Sequence, residues 1–282
     1  MPWRLAASYP DYFLQLSALL RDPVYRGINV PESQGEPVLL IPGFFGGDWT
    51  MLVMAGWLNR IGYRVYFSGI DWNIDCPNKT SELLRWRLDH ITKETGCPIT
   101  VIGHSLGGIL ARFLGTNFPK KIRHVVAIGA PIDGSMEVHP LASLAFRTLQ
   151  ALRRAGDQSF PDCGSSRCTC QFIQTAFSPL PEGVRLTAIF SKQDEVVDWH
   201  ACLDPQGENK EVSGRHVGLI VNRQVYRILA DTLATYSQGK GMTERLNGQG
   251  RDRPTGETVL LNGGGLQGVG PPYHGKPMKV KE

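Results

Sequence analysis

No stretch of the 282-residue chain approaches the roughly 18–20 uninterrupted apolar residues of a membrane-spanning helix. Met1-Pro2-Trp3-Arg4-Leu5 has no apolar core behind it, because Tyr9, Pro10, Asp11 and Tyr12 interrupt the pattern. No secretory signal is therefore expected, and a cytoplasmic location follows from that reading. Cysteine is sparse: Cys76, Cys97, Cys163, Cys168, Cys170 and Cys202 are too few for a disulfide scaffold in a chain this long. Charge of one sign is scarce too. Lys and Arg number 30 and Asp and Glu 26, a net of +4. Seven of those basic and four of the acidic residues fall from Gly239 onward, which leaves 23 and 22 in the first 238 residues. A body so close to neutral offers no electrostatic footprint for nucleic acid. Internal repeats are also missing. What is present is an ordinary globular balance, 41% hydrophobic and 20% charged, which excludes a wholly disordered chain and supplies a sizeable core.

The pattern along the chain alternates. Tyr12, Leu16, Leu19 and Leu20 recur at helical spacing within 11–21, and a Pro/Gly-rich connector through Pro31, Gly35 and Pro37 follows. Val38-Leu39-Leu40-Ile41 is a short apolar run without polar alternation, stopped by Pro42-Gly43, as expected of a strand buried on both faces. Further strands are expected at 64–67, 99–102, 125–128 and 186–190, with helices at 49–61, 79–95, 106–117 and 217–236. Strands alternating with helices imply an α/β fold with a mostly parallel central sheet flanked by helices. Three divisions follow: an N-terminal helix and connector over 1–35, a main domain over 36–237, and a flexible basic tail over 238–282. The tail has eleven Gly and four Pro in 45 residues. Residues 137–183 hold no clear strand and read as a helical lid or cap inserted in the main domain.

The strongest chemical signal is Gly103-His104-Ser105-Leu106-Gly107-Gly108, where an expected strand meets an expected helix. A sharp turn there lifts Ser105 clear of the backbone as a nucleophile, and glycines flank it because strand and helix pass too close for Cβ atoms. The helix that follows aims its N-terminal N–H groups at the reacting centre.

With these residues the chain resembles the α/β-hydrolase family, and within it small bacterial lipases and esterases. The resemblance covers about 36–236. It rests on IPGFFGG at 41–47, GHSLGG at 103–108, GAP at 129–131, FSKQDEVV at 190–197 and SGRHVGL at 213–219, in the family's order and spacing. It implies a catalytic triad of Ser105, Asp194 and His216. It also implies an oxyanion hole made by the backbone N–H groups of Phe44 and Leu106, although Pro42 stands where a His is usual. Asp198 and Glu195 compete with Asp194 for the acid, and His200 with His216 for the base. His200 lies only six residues after Asp194, too close to leave a strand between acid and base.

The expected chemistry is hydrolysis of a lipophilic carboxylic ester through an acyl-enzyme, with no metal or organic cofactor. Phe45, Trp49 and Trp72 are candidates for a substrate-binding aromatic wall, with core packing as the alternative. Leu141, Leu144, Phe146, Leu149 and Leu152 either line an acyl pocket or pack the lid onto the body. A disulfide from Cys163, Cys168 or Cys170 to Cys202 would staple the lid to the acid loop, and a zinc site of those four thiols is a further alternative. The basic tail leaves contact with a membrane or lipid interface open, and the sequence fixes no oligomeric state. An acyltransferase or thioesterase would use the same triad, and a non-catalytic ligand-binding protein could keep the fold.

Overall fold

The computed structural model describes residues 8–134, 148 and 171–234. Six strands form one sheet: β1 (Pro37–Ile41), β2 (Arg64–Phe67), β3 (Ile99–His104), β4 (Ile122–Ile128), β5 (Arg185–Phe190) and β6 (Glu208–Glu211), in the order β2-β1-β3-β4-β5-β6. Every pairing is parallel. Each connection must therefore cross a face of the sheet, and all the strands end on the same edge. Helices α1 (Ser8–Arg21), α2 (Leu52–Arg60), α3 (Pro77–Thr95), α4 (Leu106–Asn117) and α5 (Gln171–Thr175) precede a last helix, α6, over 223–234. Among the described residues no helix is long and apolar enough to cross a membrane.

The apolar runs of the strands serve two cores, one on each face, because successive side chains of a strand point to opposite sides. Val38 and Leu40 of β1, with Val126 and Ile128 of β4, join Leu19, Trp57, Leu58, Val225 and Tyr226. Leu39 and Ile41, with Val125 and Ala127, join Leu84, Leu88, Leu110 and Leu114. The strands buried on both faces were legible for this reason.

Some elements differ from expectation. Strand β6 carries Glu208-Asn209-Lys210-Glu211, without an apolar position. It lies at the sheet edge, where the backbone ladder to β5 holds it and a charged outer rim is the usual composition. The single helix expected over 217–236 is instead a 3-10 turn, Val217–Val221, and then α6. Asn222 separates them in an extended conformation, its side chain bonded to Ser213 O and to Gln224 N. On α1, Leu19 is buried, Tyr12 and Leu16 pack against the core, and Leu20 is half exposed.

Most of the expected lid, with Leu141, Leu144, Phe146, Leu149 and Leu152, lies outside the described residues, as does the tail over 238–282. The described end of that segment belongs to the body. Phe172 and Ala176 are buried in the second core, the tilted rings of Phe172 and Phe113 lie 5.3 Å apart, and Asn117 Nδ2 donates to Thr175 Oγ1 at 2.9 Å. The staple expected at Cys202 is corrected: Cys202 is a free thiol. It packs against Phe190 and Val197, and burial first, then the charges of Asp194, Asp133 and Asp198, push its pKa up. Cys76, which the sequence reading left unassigned, is disulfide-bonded; Cys163, Cys168 and Cys170 lie outside the described residues.

Candidate active site

Strand β3 runs into helix α4 through a single residue, Ser105. Its φ of 52° and ψ of −124° form a backbone conformation a non-glycine residue adopts only under constraint. The constraint is visible on both sides. Ser105 N donates to Ile128 O of β4 at 2.8 Å, and the first turn of α4 closes with Gly108 N on Ser105 O at 2.8 Å. A Cβ on Gly107 would meet Ile41 O at 2.3 Å, so only glycine lets α4 start this close to the end of β1. Gly43 in turn lies against His104 and the Ser105 Cβ, which brings the loop after β1 beside the serine. Among the described residues the Ser105 hydroxyl makes no hydrogen bond.

The loop after β5 carries Asp194, whose side chain is 1% exposed. Its Oδ1 accepts from Val196 N at 2.8 Å and Val197 N at 2.9 Å. Its Oδ2 lies 2.7 Å from His216 Nδ1. With a carboxylate as acceptor, Nδ1 is the protonated nitrogen and Nε2 keeps its lone pair. Gly129, with φ 54°, stands at the end of β4 where a Cβ would fall 3.3 Å from Asp194 Oδ2 and 3.5 Å from His216 Nδ1. The GAP turn thus leaves room for this pair.

The backbone of His216 and of its neighbour Arg215 is held from three sides. His104 Nε2 lies 3.0 Å from His216 O and therefore donates, and the two rings stand 4.8 Å apart. Burial first, and His216 second, pull the His104 pKa down to about 3, against its bond to His216 O and the Asp194 charge. The buried Glu195 carboxylate accepts from His216 N at 3.4 Å. Helix α1 reaches over from the start of the chain, and Asp11 Oδ2 accepts from Arg215 N at 3.2 Å. Gly218 has no side chain to keep Asp11 away.

The competitors lie elsewhere. Asp198 caps the 3-10 turn Trp199–Cys202, accepting from His200 N at 2.9 Å, and its Oδ1 is 2.7 Å from His200 Nδ1. That pair is exposed. Glu195 touches the His216 backbone rather than its ring. The rings of Phe44 and Phe45 lie 4.4 Å apart at a tilt of 50°, and Trp49 and Trp72 meet edge to face at 5.8 Å. Phe45, Trp49 and Trp72 are 47%, 57% and 57% exposed, so core packing does not account for them. Among the described residues no group of three or more His, Cys, Asp or Glu side chains is placed to hold a metal ion. A cavity of about 390 Å³ lined by Leu180, Val184, Leu186, Asp204 and Gln206 touches none of Ser105, Asp194 and His216.

Sequence reasoning missed His104, Asp11, Glu195 and Asn73 (described below) as supports. Each acts on backbone atoms of the site, and a contact to backbone leaves no motif.

Solved structures share this architecture. A lipase from Bacillus licheniformis, BlEst2 in its mature form, superimposes with a TM-score of 0.53 at 16% identity, covering 73% of this chain and 94% of its own. A structure from work on LipS and LipT, two metagenome-derived lipolytic enzymes, gives 0.54 at 17% identity, covering 74% and 96%. The fold is that of the α/β-hydrolases. A triacylglycerol lipase of Pseudarthrobacter phenanthrenivorans is 31% identical over 108 residues, which is 35% of this chain and 34% of the relative. One from Burkholderia plantarii is 31% identical over the same length, 35% of this chain and 30% of the relative. The match thus spans about a third of the length of these curated relatives. No family model matches the chain.

Proposed function

We propose that the chain is a serine carboxylic-ester hydrolase acting on lipophilic esters through an acyl-enzyme on Ser105. The observation that carries this reading is the strained strand-to-helix serine together with an aspartate–histidine pair 2.7 Å apart, whose histidine ring stands 4.8 Å from that of His104, the serine's neighbour in the chain. His216 Nε2 takes the Ser105 proton as Oγ bonds to the ester carbonyl carbon. The oxyanion forms against the Phe44 and Leu106 N–H groups, the second at the positive end of α4. The C–O bond to the alcohol breaks as His216 returns the proton to the departing oxygen. Water then attacks the acyl-enzyme, giving its proton to His216, and the acid leaves as Ser105 regains it. Asp194 keeps the imidazole in the Nδ1–H tautomer and stabilises the imidazolium.

A lipophilic substrate is supported by the exposed Phe45, Trp49, Leu52 and Trp72 around the loop that follows β1. The names of the curated relatives, triacylglycerol lipases, support the same class.

The test is hydrolysis of p-nitrophenyl esters from short to long acyl chains, wild type beside Ser105→Ala. The expected result is turnover that rises with acyl length and is lost in the variant. Turnover that survives Ser105→Ala would overturn the reading. A wild type inert on every ester yet labelled at Ser105 by a fluorophosphonate would redirect the same triad to acyl transfer or thioester hydrolysis.

A further inference from the structure

The loop from Pro42 to Gly47 has to hold the Phe44 N–H where a tetrahedral oxygen will be, and displacements well below 1 Å weaken such a donor. Within itself the loop has little to hold it. Gly46 N bonds back to Gly43 O at 3.0 Å, and Phe45 adopts a φ of 59°. The restraint comes from another segment, the connection between β2 and α3. Asn73 in that connection is 1% exposed. Its side-chain Nδ2 donates to Pro42 O at 2.8 Å. Its backbone N donates to Gly46 O at 2.7 Å, and its carbonyl accepts from Phe45 N at 3.2 Å. One buried residue thus grips the loop on both sides of Phe44.

The connection is itself anchored. The Asp48 carboxylate accepts from Ser68 N at 3.2 Å, Ser68 Oγ at 2.6 Å and Gly69 N at 2.7 Å, and Asp48 N donates to Ile70 O at 2.9 Å. Three residues after Asn73, the disulfide-bonded Cys76 stands at the N-terminal boundary of helix α3. The amide orientation at Asn73 is dictated by chemistry. Turned over, Oδ1 would face the Pro42 carbonyl, acceptor against acceptor. As it stands, Oδ1 is buried without a hydrogen-bond partner among the described residues. A leucine or alanine would avoid burying an unpaired oxygen, so the side chain is there for its N–H.

We propose that Asn73 is a positioning residue for the oxyanion hole: its amide fixes the Pro42 carbonyl and thereby the direction of the Phe44 N–H. This rests on the ester-hydrolase reading above, in which Phe44 is an oxyanion donor. Removing the amide leaves the serine, histidine and aspartate where they are. It loosens only the group that meets the developing negative charge.

The test is Asn73→Ala in the full chain, with Asn73→Asp as a second variant of equal volume that replaces the donor by an oxygen. Four quantities are read: kcat and KM on the best p-nitrophenyl ester, Ki for a trifluoromethyl ketone of matching chain length, and the fraction of sites titrated by a fluorophosphonate. The ketone forms a tetrahedral oxyanion on Ser105 and so reports the hole directly. For either variant the expected outcome is kcat lower by about 10–100-fold, KM within about twofold and Ki weakened by a factor close to that in kcat. The titrated fraction stays near that of the wild type. A kcat within about twofold of wild type, or a loss of activity matched by an equal loss of titratable sites, overturns the inference while leaving the ester-hydrolase reading intact. A wild type that neither turns over esters nor reacts with the fluorophosphonate overturns both.

Discussion

Asp194 has both carboxylate oxygens committed, Oδ1 to two backbone N–H groups and Oδ2 to His216. That division of labour predicts what an amide would do there. In Asp194→Asn the one remaining oxygen can serve the Val196 and Val197 N–H groups or His216 but not both, and with the N–H₂ toward Nδ1 His216 loses the acceptor that fixes its tautomer. The expected fall in kcat is about 10³–10⁴-fold, read on a p-nitrophenyl ester. Asp198→Asn, at an exposed cap bonded to His200, should stay within about twofold. The reverse outcome would move the acid to Asp198. At this scale the sequence was informative wherever geometry forces a residue type. Ser105 between glycines could be read because the strand-to-helix turn tolerates little else. The roles of His104, a member of the same motif, and of Asn73 were not legible, because a donor aimed at a carbonyl has no partner that sequence can display.

Helix α4 carries Ser105 at its start, and Arg112, two turns on, is buried within it. Its Nη1 lies 2.8 Å from Asp204 Oδ2, in the stretch between β5 and β6, and its Nη2 donates to Ser178 O at 3.2 Å. Both side chains are less than a tenth exposed. Truncating one member would leave the other charge buried and unpaired, at a cost of about 3–5 kcal/mol. Arg112→Ala should lower the unfolding free energy by that amount in urea titrations. The double change Arg112→Met with Asp204→Leu should recover most of it. A single variant as stable as the wild type would show that water reaches the pair. The elements buried on both faces, β1, β3 and β4, were legible from their apolar runs. Strand β6 was not, since an edge strand is specified by the ladder it joins and its side chains look like a loop. The 3-10 turn ahead of α6 was missed for a related reason. Val217, Leu219, Ile220 and Val221 suit either geometry, and the side-chain bonds of Asn222 decide between them.

The whole molecule should be sensitive to acid through two buried histidines. His104 and His124 both have pKa values pulled down to about 3, by burial first; His216 is the next cause for His104 and the Arg123 and Arg185 charges for His124. Unfolded, each would titrate near 6.5. As pH falls from about 6.5 toward 3 the unfolded chain binds protons that the folded chain refuses, so stability is full above 6.5 and declines below it. The limiting slope is about 1.4 kcal/mol per pH unit for each histidine. Urea midpoints from pH 7 to 4 should show the decline, and His124→Gln should remove the share belonging to His124. An unchanged slope in that variant would mean that His124 is not the neutral group described. The parallel sheet with its site at the strand ends was legible as a whole, since motif order and alternating elements determine it together. The role of α1 was not, because nothing near residue 11 announces a contact 204 residues away. That contact also has a consequence for synthesis. At roughly 5–20 residues per second a ribosome needs about 10–40 s to go from Asp11 to Arg215. Throughout that interval the segment of α1 is already synthesised, and the histidine loop it will brace does not yet exist. The Ser105 turn is therefore synthesised well before the Asp194–His216 pair.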